Sequence, residues 1–157
     1  MNIKFEQKGT IFNYRIVAII IKDNKVLFQK LEKDKFWAPI GGRCQLNETS
    51  IEAIKREIYE EIEVTEIKDL NLIWVVENFF NINDKNIHEI SFYYNVTLGD
   101  NEEIYKLKEF KGKEKEKNIY FKWFNLKNIE QEPIKPDFLK KSLTNISNNI
   151  SHYIEVE

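Results

Sequence analysis

Residues 41–64 of the chain read GGRCQLNETSIEAIKREIYEEIEV, and this stretch carries most of what the sequence says about fold and function. Its second half has the pattern of a helix. Thr49 followed by Glu52 makes a capping box, in which each side chain accepts from the other's backbone N–H, so the helix is predicted to begin near Ser50. At 3.6 residues per turn, one apolar stripe faces the core. It consists of Ile51, Ile54, Ile58 and Ile62.

A second face of this helix collects three carboxylates, Glu57, Glu60 and Glu61, because side chains three and four residues apart lie on the same side. A solvated acidic face is the simplest interpretation, since like-charge pairs at these spacings cost only about 0.2 to 0.5 kcal/mol each. The acidic edge, however, adjoins the packed stripe and follows Gly41-Gly42, where bare backbone brings carbonyl oxygens close. Hard oxygen ligands of this kind suit Mg²⁺ or Mn²⁺.

The spacing of these residues resembles the Nudix box. The matching positions are Gly42, Glu48, Arg56, Glu57, Ile58, Glu60, Glu61 and Val64. Glu63 departs from the pattern, because the family usually has a glycine there that closes the helix in a left-handed turn. The preceding residues are similar to the family's Trp-x-x-Pro-Gly-Gly lead-in, although the proline comes one place early in Trp37-Ala38-Pro39-Ile40-Gly41-Gly42.

This resemblance implies an α/β fold, the Nudix-type α/β/α sandwich with a mixed β-sheet between helices, over nearly the whole chain. It also implies divalent-metal-dependent hydrolysis of a pyrophosphate bond in a nucleoside diphosphate linked to another moiety, as in a nucleoside triphosphate, nucleotide sugar or dinucleotide. By match to the motif, Glu57 and Glu61 are the principal Mg²⁺ (or Mn²⁺) ligands. Glu60 ligates directly or through water, and the Gly41 carbonyl completes the shell.

Arg56 is predicted to hold the box carboxylates by a bidentate contact, with Glu48 as its partner and Glu60 beside it. The alternative for Arg56 is an ordinary surface ion pair worth about 0 to 1 kcal/mol. The chain is rich in lysine and has arginine only at positions 15, 43 and 56, which favours a specific role for Arg56.

The general base is left open by the sequence, because in Nudix proteins it can lie outside the box. Glu61 is preferred, and Glu89 on the polar face of a predicted strand is second. A glutamate of the charged loop, such as Glu103 or Glu109, is a further candidate. His88 at a strand edge is more typical of an exposed histidine than of a phosphate ligand. Five aromatic residues are candidates for a pair that stacks on a nucleotide base: Phe36, Trp37, Phe79, Phe80 and Tyr93.

Length and composition predict a single domain over residues 1–157, since 42% hydrophobic and 13% aromatic residues are typical of a globular chain. The formal charge of −2 gives no long-range attraction for polyanions, which favours a small-molecule nucleotide substrate over nucleic acid. No apolar run is long enough to cross a bilayer, so no membrane partner and a cytoplasmic location are expected. A homodimer is left open. Cys44 is the only cysteine, which excludes an intrachain disulfide.

The remaining chain reads mainly as strands. A hairpin is predicted from Tyr14–Ile21 and Val26–Lys30 across the turn-prone pair Asp23-Asn24. Further strands are predicted at residues 70–80, 87–98 and 119–124, with a polar loop over 81–86. Residues 99–118 carry many charges of both signs, which indicates a solvated segment, with a flexible lid as the alternative.

A last helix is predicted to begin at Pro136, because proline suits the first helical position. Its apolar stripe is Leu139, Leu143, Ile146 and Ile150. The tail over residues 151–157 is expected to fray.

Two other functions are considered beside the hydrolase. A binding module that senses a nucleotide without cleaving it is suggested by Glu63 and by the displaced Pro39. Retention of every acidic box position favours the enzyme. Isomerisation of isoprenoid diphosphates, found in some Nudix relatives, has no specific support in this chain, whose Cys44 has no partner.

Overall fold

The central strand, β2 (Thr10–Lys22), alternates between two buried faces. Ile16, Ala18 and Ile20 belong to one hydrophobic core, whereas Val17 and Ile19 belong to the other. This confirms the prediction of a strand buried on both sides. The chain is described over residues 1–157 by a computed structural model.

Eight further strands and two α-helices surround β2. The strands are β1 (Lys4–Gln7), β3 (Lys25–Leu31), β4 (Ile40–Arg43), β5 (Ile67–Ile82), β6 (Lys85–Leu98), β7 (Glu109–Lys111), β8 (Ile119–Asn125) and β9 (Ser151–Val156). The helices are α1 (Ser50–Ile62) and α2 (Leu139–Ser142), and two 3₁₀ helices span Glu103–Lys106 and Leu126–Gln131. No helix is long and apolar enough to cross a bilayer.

The strands form one mixed sheet in the order β7-β8-β3-β2-β6-β5-β9, with β1 and β4 also paired to β2. The pairs β2–β6 and β5–β9 are parallel, and the others are antiparallel. β3 pairs with β2 only at Ile21 and Lys22. β4 pairs with β2 further back, at Arg15–Ala18. This arrangement confirms the α/β class with a mixed sheet, and it puts the glycines of β4 against the centre of the molecule.

Two tight turns connect the hairpins. Asp23 and Asn24 have φ of 50° and 61°, and Asn83 and Asp84 have φ of 48° and 63°. Positive φ at both central residues defines the type I′ turn, whose twist matches the strands it joins. The first turn was predicted. The second is shorter than the predicted loop over residues 81–86, because β5 and β6 continue to the turn itself.

The helix α1 packs its buried side on one face of the sheet and begins as predicted, with both capping-box hydrogen bonds present. Ala53, Ile54, Ile58 and Ile62 join the first core. Ile51, expected in this stripe, is 47% exposed. The buried stripe therefore begins at Ala53.

The other face of the sheet is covered by the 3₁₀ helix Leu126–Gln131 and by α2, which is far shorter than the helix predicted from Pro136. Leu139 and Leu143 are buried in the second core as expected. The helix then stops because polar side chains bond the local backbone instead of continuing it: Thr144 Oγ1 donates to Lys141 O, and Ser147 Oγ accepts from Asn149 N.

The tail was predicted to fray, and that prediction was wrong. Residues 151–156 form β9, which pairs in parallel with β5. Tyr153 packs against Phe138, with ring centroids 5.1 Å apart, and against the buried Trp74. Contact with the second core therefore orders a segment whose own sequence gives a weak strand signal.

The charged segment 99–118 is also more ordered than its composition indicates. Ile104 is buried, and its carbonyl accepts a hydrogen bond from Trp123 Nε1 at 3.0 Å. Five residues further on, β7 begins and adds to β8 at the edge of the sheet. The few apolar residues within the charged run anchor it to the first core.

Candidate active site

Glu57 lies against the glycine pair of β4. Gly42 pairs with Ile16 of β2, and a Cβ added to Gly42 would overlap the Glu57 carboxyl group. At Gly41 a Cβ would come within 2.7 Å of the Ile16 carbonyl. Both glycines are therefore required by close approach, one to a side chain of α1 and one to the backbone of β2.

Arg56 donates hydrogen bonds to three carboxylates, those of Glu48, Glu57 and Glu60. Its Nε and Nη2 donate to the two carboxylate oxygens of Glu48 at 2.6 and 3.0 Å, the bidentate contact that was predicted. Its Nη1 donates to Glu57 at 2.7 Å and to Glu60 at 3.4 Å, and Nη2 also donates to the Arg43 carbonyl at 3.1 Å. The guanidinium thereby fixes three carboxylates relative to β4.

Glu48 is held from two sides. Besides its ion pair with Arg56, one oxygen accepts from Gln45 N at 2.8 Å. Hydrogen bonds from Arg56 are the largest cause that lowers the pKa of Glu48, with the Gln45 amide acting in the same direction. Glu48 is thus a fixed anion that orients Arg56.

Glu61 is 4% exposed, and its Oε2 atom is buried with no hydrogen-bond partner. Burial, together with the nearby charge of Glu114, raises its pKa to about 7. Burial also raises the pKa of Glu57, although the hydrogen bond from Arg56 opposes this shift. Two desolvated carboxyl groups on successive turns of one helix favour a cationic ligand between them.

Glu60 is the most exposed member of the acidic face, with a side chain 48% accessible and Arg56 as its one ion-pair partner. No group of three or more histidine, cysteine, aspartate or glutamate side chains converges in this structure as metal ligands do. The unpaired oxygen of Glu61 beside the carboxylate of Glu57 nevertheless fits a divalent cation, because it is a hard donor that lacks any other partner.

The loop between β7 and β8 brings two charges that the sequence analysis did not single out. Lys113 N donates to the Glu61 carbonyl at 3.0 Å, which ties this loop to the end of α1. Glu114 and Lys117, an ion pair at 3.2 Å, act on the pKa of Glu61 in opposite directions. The alternating run KEKEK at 113–117 was visible as a charged loop, but only the tertiary contact puts it beside the box.

The predicted loop candidates for the general base are engaged elsewhere. Glu103 pairs with Lys106 at 3.2 Å, and Glu109 of β7 pairs with Lys122 of β8 at 3.5 Å.

Glu89 lies on the opposite face of the sheet from α1, in register with Asn13 of β2. Asn13 Nδ2 donates to Glu89 at 3.3 Å, and Arg43 Nε donates to Asn13 Oδ1 at 2.9 Å. Since the Arg43 carbonyl is bound by Arg56, a continuous polar chain joins the box to Glu89 through the sheet. Glu89 is 8% exposed, so this polar strand face is largely buried.

A cavity of about 390 Å³ opens beside Glu89, and we call it the Glu89 cleft. Its polar lining includes Arg15, Asn78 and Ser91, and its rim includes Pro39 just before β4. Arg15 forms no ion pair, and Asn78 Oδ1 is buried without a hydrogen-bond partner. The cleft therefore offers both unpaired donors and unpaired acceptors, one strand away from Gly41.

The other predicted residues are distributed around the fold. His88 stacks on Phe79 with centroids 4.4 Å apart and meets Phe12 edge-on. Phe80 and Tyr93 line the Glu89 cleft, whereas Phe36 and Trp37 do not. Cys44 is fully buried in the first core.

The C-terminal end of α1 is where the sequence departs from the Nudix box, because Glu63 replaces the usual glycine. Glu63 adopts φ 55° and ψ 32°, the left-handed conformation, and its N–H donates to the Tyr59 carbonyl at 2.8 Å. The closing turn is therefore the one that the family's glycine makes, built here with a glutamate.

Comparison with solved structures identifies the same fold. A MutT NUDIX hydrolase from Burkholderia pseudomallei superposes with a TM-score of 0.64 at 21% identity, covering 86% of this chain and 96% of that chain. A MutT protein from Bacillus halodurans gives a TM-score of 0.60 at 18% identity, covering 90% of both chains. No curated protein sequence matched.

The NUDIX domain family matches residues 13–145, which include most of β2, the glycine pair, α1 and the loop that carries Glu114. This is most of the chain, and it agrees with the box geometry and with the fold. The protein therefore belongs to the NUDIX domain family.

Proposed function

We propose that the protein is a divalent-metal-dependent pyrophosphohydrolase that cleaves a nucleoside diphosphate linked to another moiety. The observation that carries this proposal is the pair Glu57 and Glu61, two desolvated carboxyl groups beside Gly41 and Gly42, one of them with a buried unpaired oxygen. Membership of the NUDIX domain family supports the same reaction class.

Glu57 and Glu61 are the proposed metal ligands, with the Gly41 carbonyl in the same shell. The exposure of Glu60 and its 3.4 Å contact with Arg56 favour a role through water. When bound, Mg²⁺ or Mn²⁺ supplies neutralisation of the anhydride oxygens and a water of lowered pKa. The substrate is proposed to be a small nucleotide rather than a nucleic acid.

Arg56 is a positioning residue in this scheme. It donates one hydrogen bond to Glu57 and two to Glu48, which fixes the guanidinium, so Glu57 is oriented before a cation arrives. Pre-orientation of this kind lowers the free energy needed to assemble the site.

The general base is proposed to be a box glutamate, Glu61 first. Its pKa of about 7 belongs to the cation-free carboxyl group, and a bound cation lowers it, so that Glu61 is a carboxylate able to accept a proton. Glu114 faces the same carboxyl group from the loop and is the candidate that the structure adds. Glu89 is second among the predicted candidates, and its position in the Glu89 cleft supports contact with the non-reacting part of the substrate.

The test is release of phosphate or pyrophosphate from nucleoside triphosphates, nucleotide sugars and dinucleoside polyphosphates with Mg²⁺ and Mn²⁺. The wild type is expected to turn over one class, and Glu61→Gln to lose at least about a hundredfold in kcat. Glu63→Gln is the matched control, because it removes one exposed charge from the same helix end and should keep the wild-type rate. Equal rates in all three proteins would reject the site.

A non-catalytic nucleotide-binding module is the second candidate, suggested by Glu63 at the usual glycine position and by Pro39, which comes one place early in the lead-in. It predicts saturable binding of a nucleotide that is recovered intact after long incubation with metal. Metal-dependent cleavage by the wild type would exclude it.

A further inference from the structure

A cavity of about 570 Å³ lies at the edge of the sheet near the β2–β3 turn, and none of its lining residues belongs to the box. Five lysines line it: Lys22, Lys25, Lys106, Lys108 and Lys122. We call it the lysine cleft. The only acidic side chains in its wall are Asp23 and Glu132, so positive charge predominates in a chain whose formal net charge is −2.

Three of the five lysines have no ion-pair partner. Lys106 pairs with Glu103 in an exposed contact, and Lys122 pairs with Glu109 at 3.5 Å. Lys22, Lys25 and Lys108 form no ion pair in the structure. Like charges gathered in one concavity repel one another, and an anion bound among them relieves this repulsion.

The cleft is built on fixed groups. The Lys22 ammonium lies 5.0 Å from the centre of the Tyr105 ring, and that of Lys122 lies 5.1 Å from the Phe124 ring. Such cation–π contacts restrict the positions of both lysines, and Lys122 also lies 5.9 Å from the Trp37 ring outside the cleft. The β2–β3 turn is tied down as well, because Asn24 O accepts from Leu126 N at 3.0 Å.

The lysine cleft is separate from the box. β3 and β8 are paired along their length. The pair Lys25–Asn125 lies at the cleft, and the pair Leu31–Ile119 lies at the other end, next to the loop that carries Glu114. Six residue steps along a strand correspond to about 20 Å. A ligand in the cleft therefore does not share contacts with Glu57 or Glu61.

The chemistry of the wall selects phosphate groups in a chain. Lysine binds phosphate as a point charge, and no arginine is present to favour planar carboxylates. The lysines come from three separate segments, the β2–β3 hairpin, residues 106–108 and β8, and so surround a concavity. A flat membrane or a duplex would contact a broad convex face, whereas a short flexible polyanion enters a cavity.

We propose that the lysine cleft is a second anion site that binds a chain of at least three phosphate groups, either free or as the polyphosphate of a nucleotide. The site is distinct from the box and does not depend on a divalent cation.

The test is calorimetric titration of the full chain with inorganic tripolyphosphate in EDTA, at 50 and 200 mM salt. The wild type is expected to bind at one site and to weaken at the higher salt. Lys25→Gln/Lys108→Gln should raise Kd at least tenfold, since both side chains are exposed and their loss leaves the fold intact. The matched control is Lys127→Gln/Lys141→Gln, two exposed lysines outside the cleft, which should bind within twofold of the wild type.

Two further titrations test whether a nucleotide binds in the cleft and whether binding is independent of the box. A nucleoside triphosphate should lose affinity in the cleft variant as tripolyphosphate does, and Glu61→Gln should bind tripolyphosphate like the wild type. The proposal is overturned by no binding at millimolar tripolyphosphate, by equal loss in the control variant, by orthophosphate binding as tightly as tripolyphosphate, or by loss of tripolyphosphate binding in Glu61→Gln.

Discussion

Glu61 is an acidic side chain that is buried in this protein with one oxygen left without a hydrogen-bond partner. A carboxyl group with one buried, unpaired oxygen is stable as the neutral acid or when it binds a cation. Glu57 shares this situation in part, but Arg56 satisfies one of its oxygens. The strain of the cation-free cluster is thus concentrated on one residue.

Stability without metal should therefore depend on pH through Glu61. Its pKa of about 7 in the folded state lies above the ordinary value of 4.5, so the folded protein binds this proton more tightly than the unfolded chain. The stabilisation is complete below about pH 4.5 and is lost as pH rises through 7, by an amount on the order of 3 kcal/mol. Urea unfolding of the wild type and Glu61→Gln in EDTA, from pH 4.5 to 8, measures it.

The difference in unfolding free energy between these two proteins should change with pH over that window, with Glu61→Gln gaining on the wild type as pH rises. A difference that stays constant would contradict the burial of an ionisable Glu61.

Glu63 is a second residue at odds with its conformation. A left-handed φ of 55° is unfavourable for a residue with a Cβ, whereas glycine adopts it freely. Glu63→Gly should raise the unfolding free energy by about 0.5 to 1 kcal/mol, since the relief of strain exceeds the added entropy of the unfolded chain. Thermal unfolding of this variant beside Glu63→Ala, which keeps the Cβ, checks the cause; an equal gain in both would assign it to lost charge instead.

At the scale of elements, β9 shows how a weak local signal becomes a regular strand. Tyr153 supplies an apolar ring to the second core and accepts a hydrogen bond from Ser142 at 3.3 Å, while its neighbour Ile154 is 61% exposed. Alternate residues of this edge strand, such as Tyr153, therefore contact the core, and those between them face solvent.

Tyr153→Ala should lower the unfolding free energy by about 2 to 4 kcal/mol, because it leaves a cavity beside Trp74 and Phe138. Ile154→Ala, in the same strand, should change it by no more than about 0.5 kcal/mol. Chemical denaturation of both variants compares them. Equal small effects would mean that the tail frays, as its sequence suggests.

At the scale of the whole molecule, function depends on how closely β4 and α1 approach each other. Gly42 sets that distance, since any side chain there meets the Glu57 carboxyl group. In the proposed site the sheet supplies the Gly41 carbonyl and the helix supplies the carboxylates, and Arg56 of the helix donates a hydrogen bond to the Arg43 carbonyl of the sheet.

Gly42→Ala should therefore lower kcat by at least about a hundredfold, because a displaced Glu57 misplaces the proposed ligand pair. Gly99→Ala is the control, since its Cβ meets only the flexible and exposed Glu66 side chain. Steady-state kinetics with the best substrate of the panel compares them. A Gly42→Ala enzyme with wild-type kcat would contradict the close approach.

The sequence by itself determined the features that depend on neighbours along the chain. The capping box, the helix α1, the hairpin turn at Asp23-Asn24, the buried strand β2 and the pairing of Arg56 with Glu48 were all predicted, since periodicity and local hydrogen bonding encode them.

Only the tertiary structure decided the features that need distant segments to meet. Glu114 reaches Glu61 because the β7–β8 loop folds over the end of α1. Asn13 links Arg43 to Glu89 because three strands share one register. The short α2 and the ordered β9 follow from the same cause: burial against the second core outweighs local propensity, and the free energy of that burial cannot be read from either segment alone.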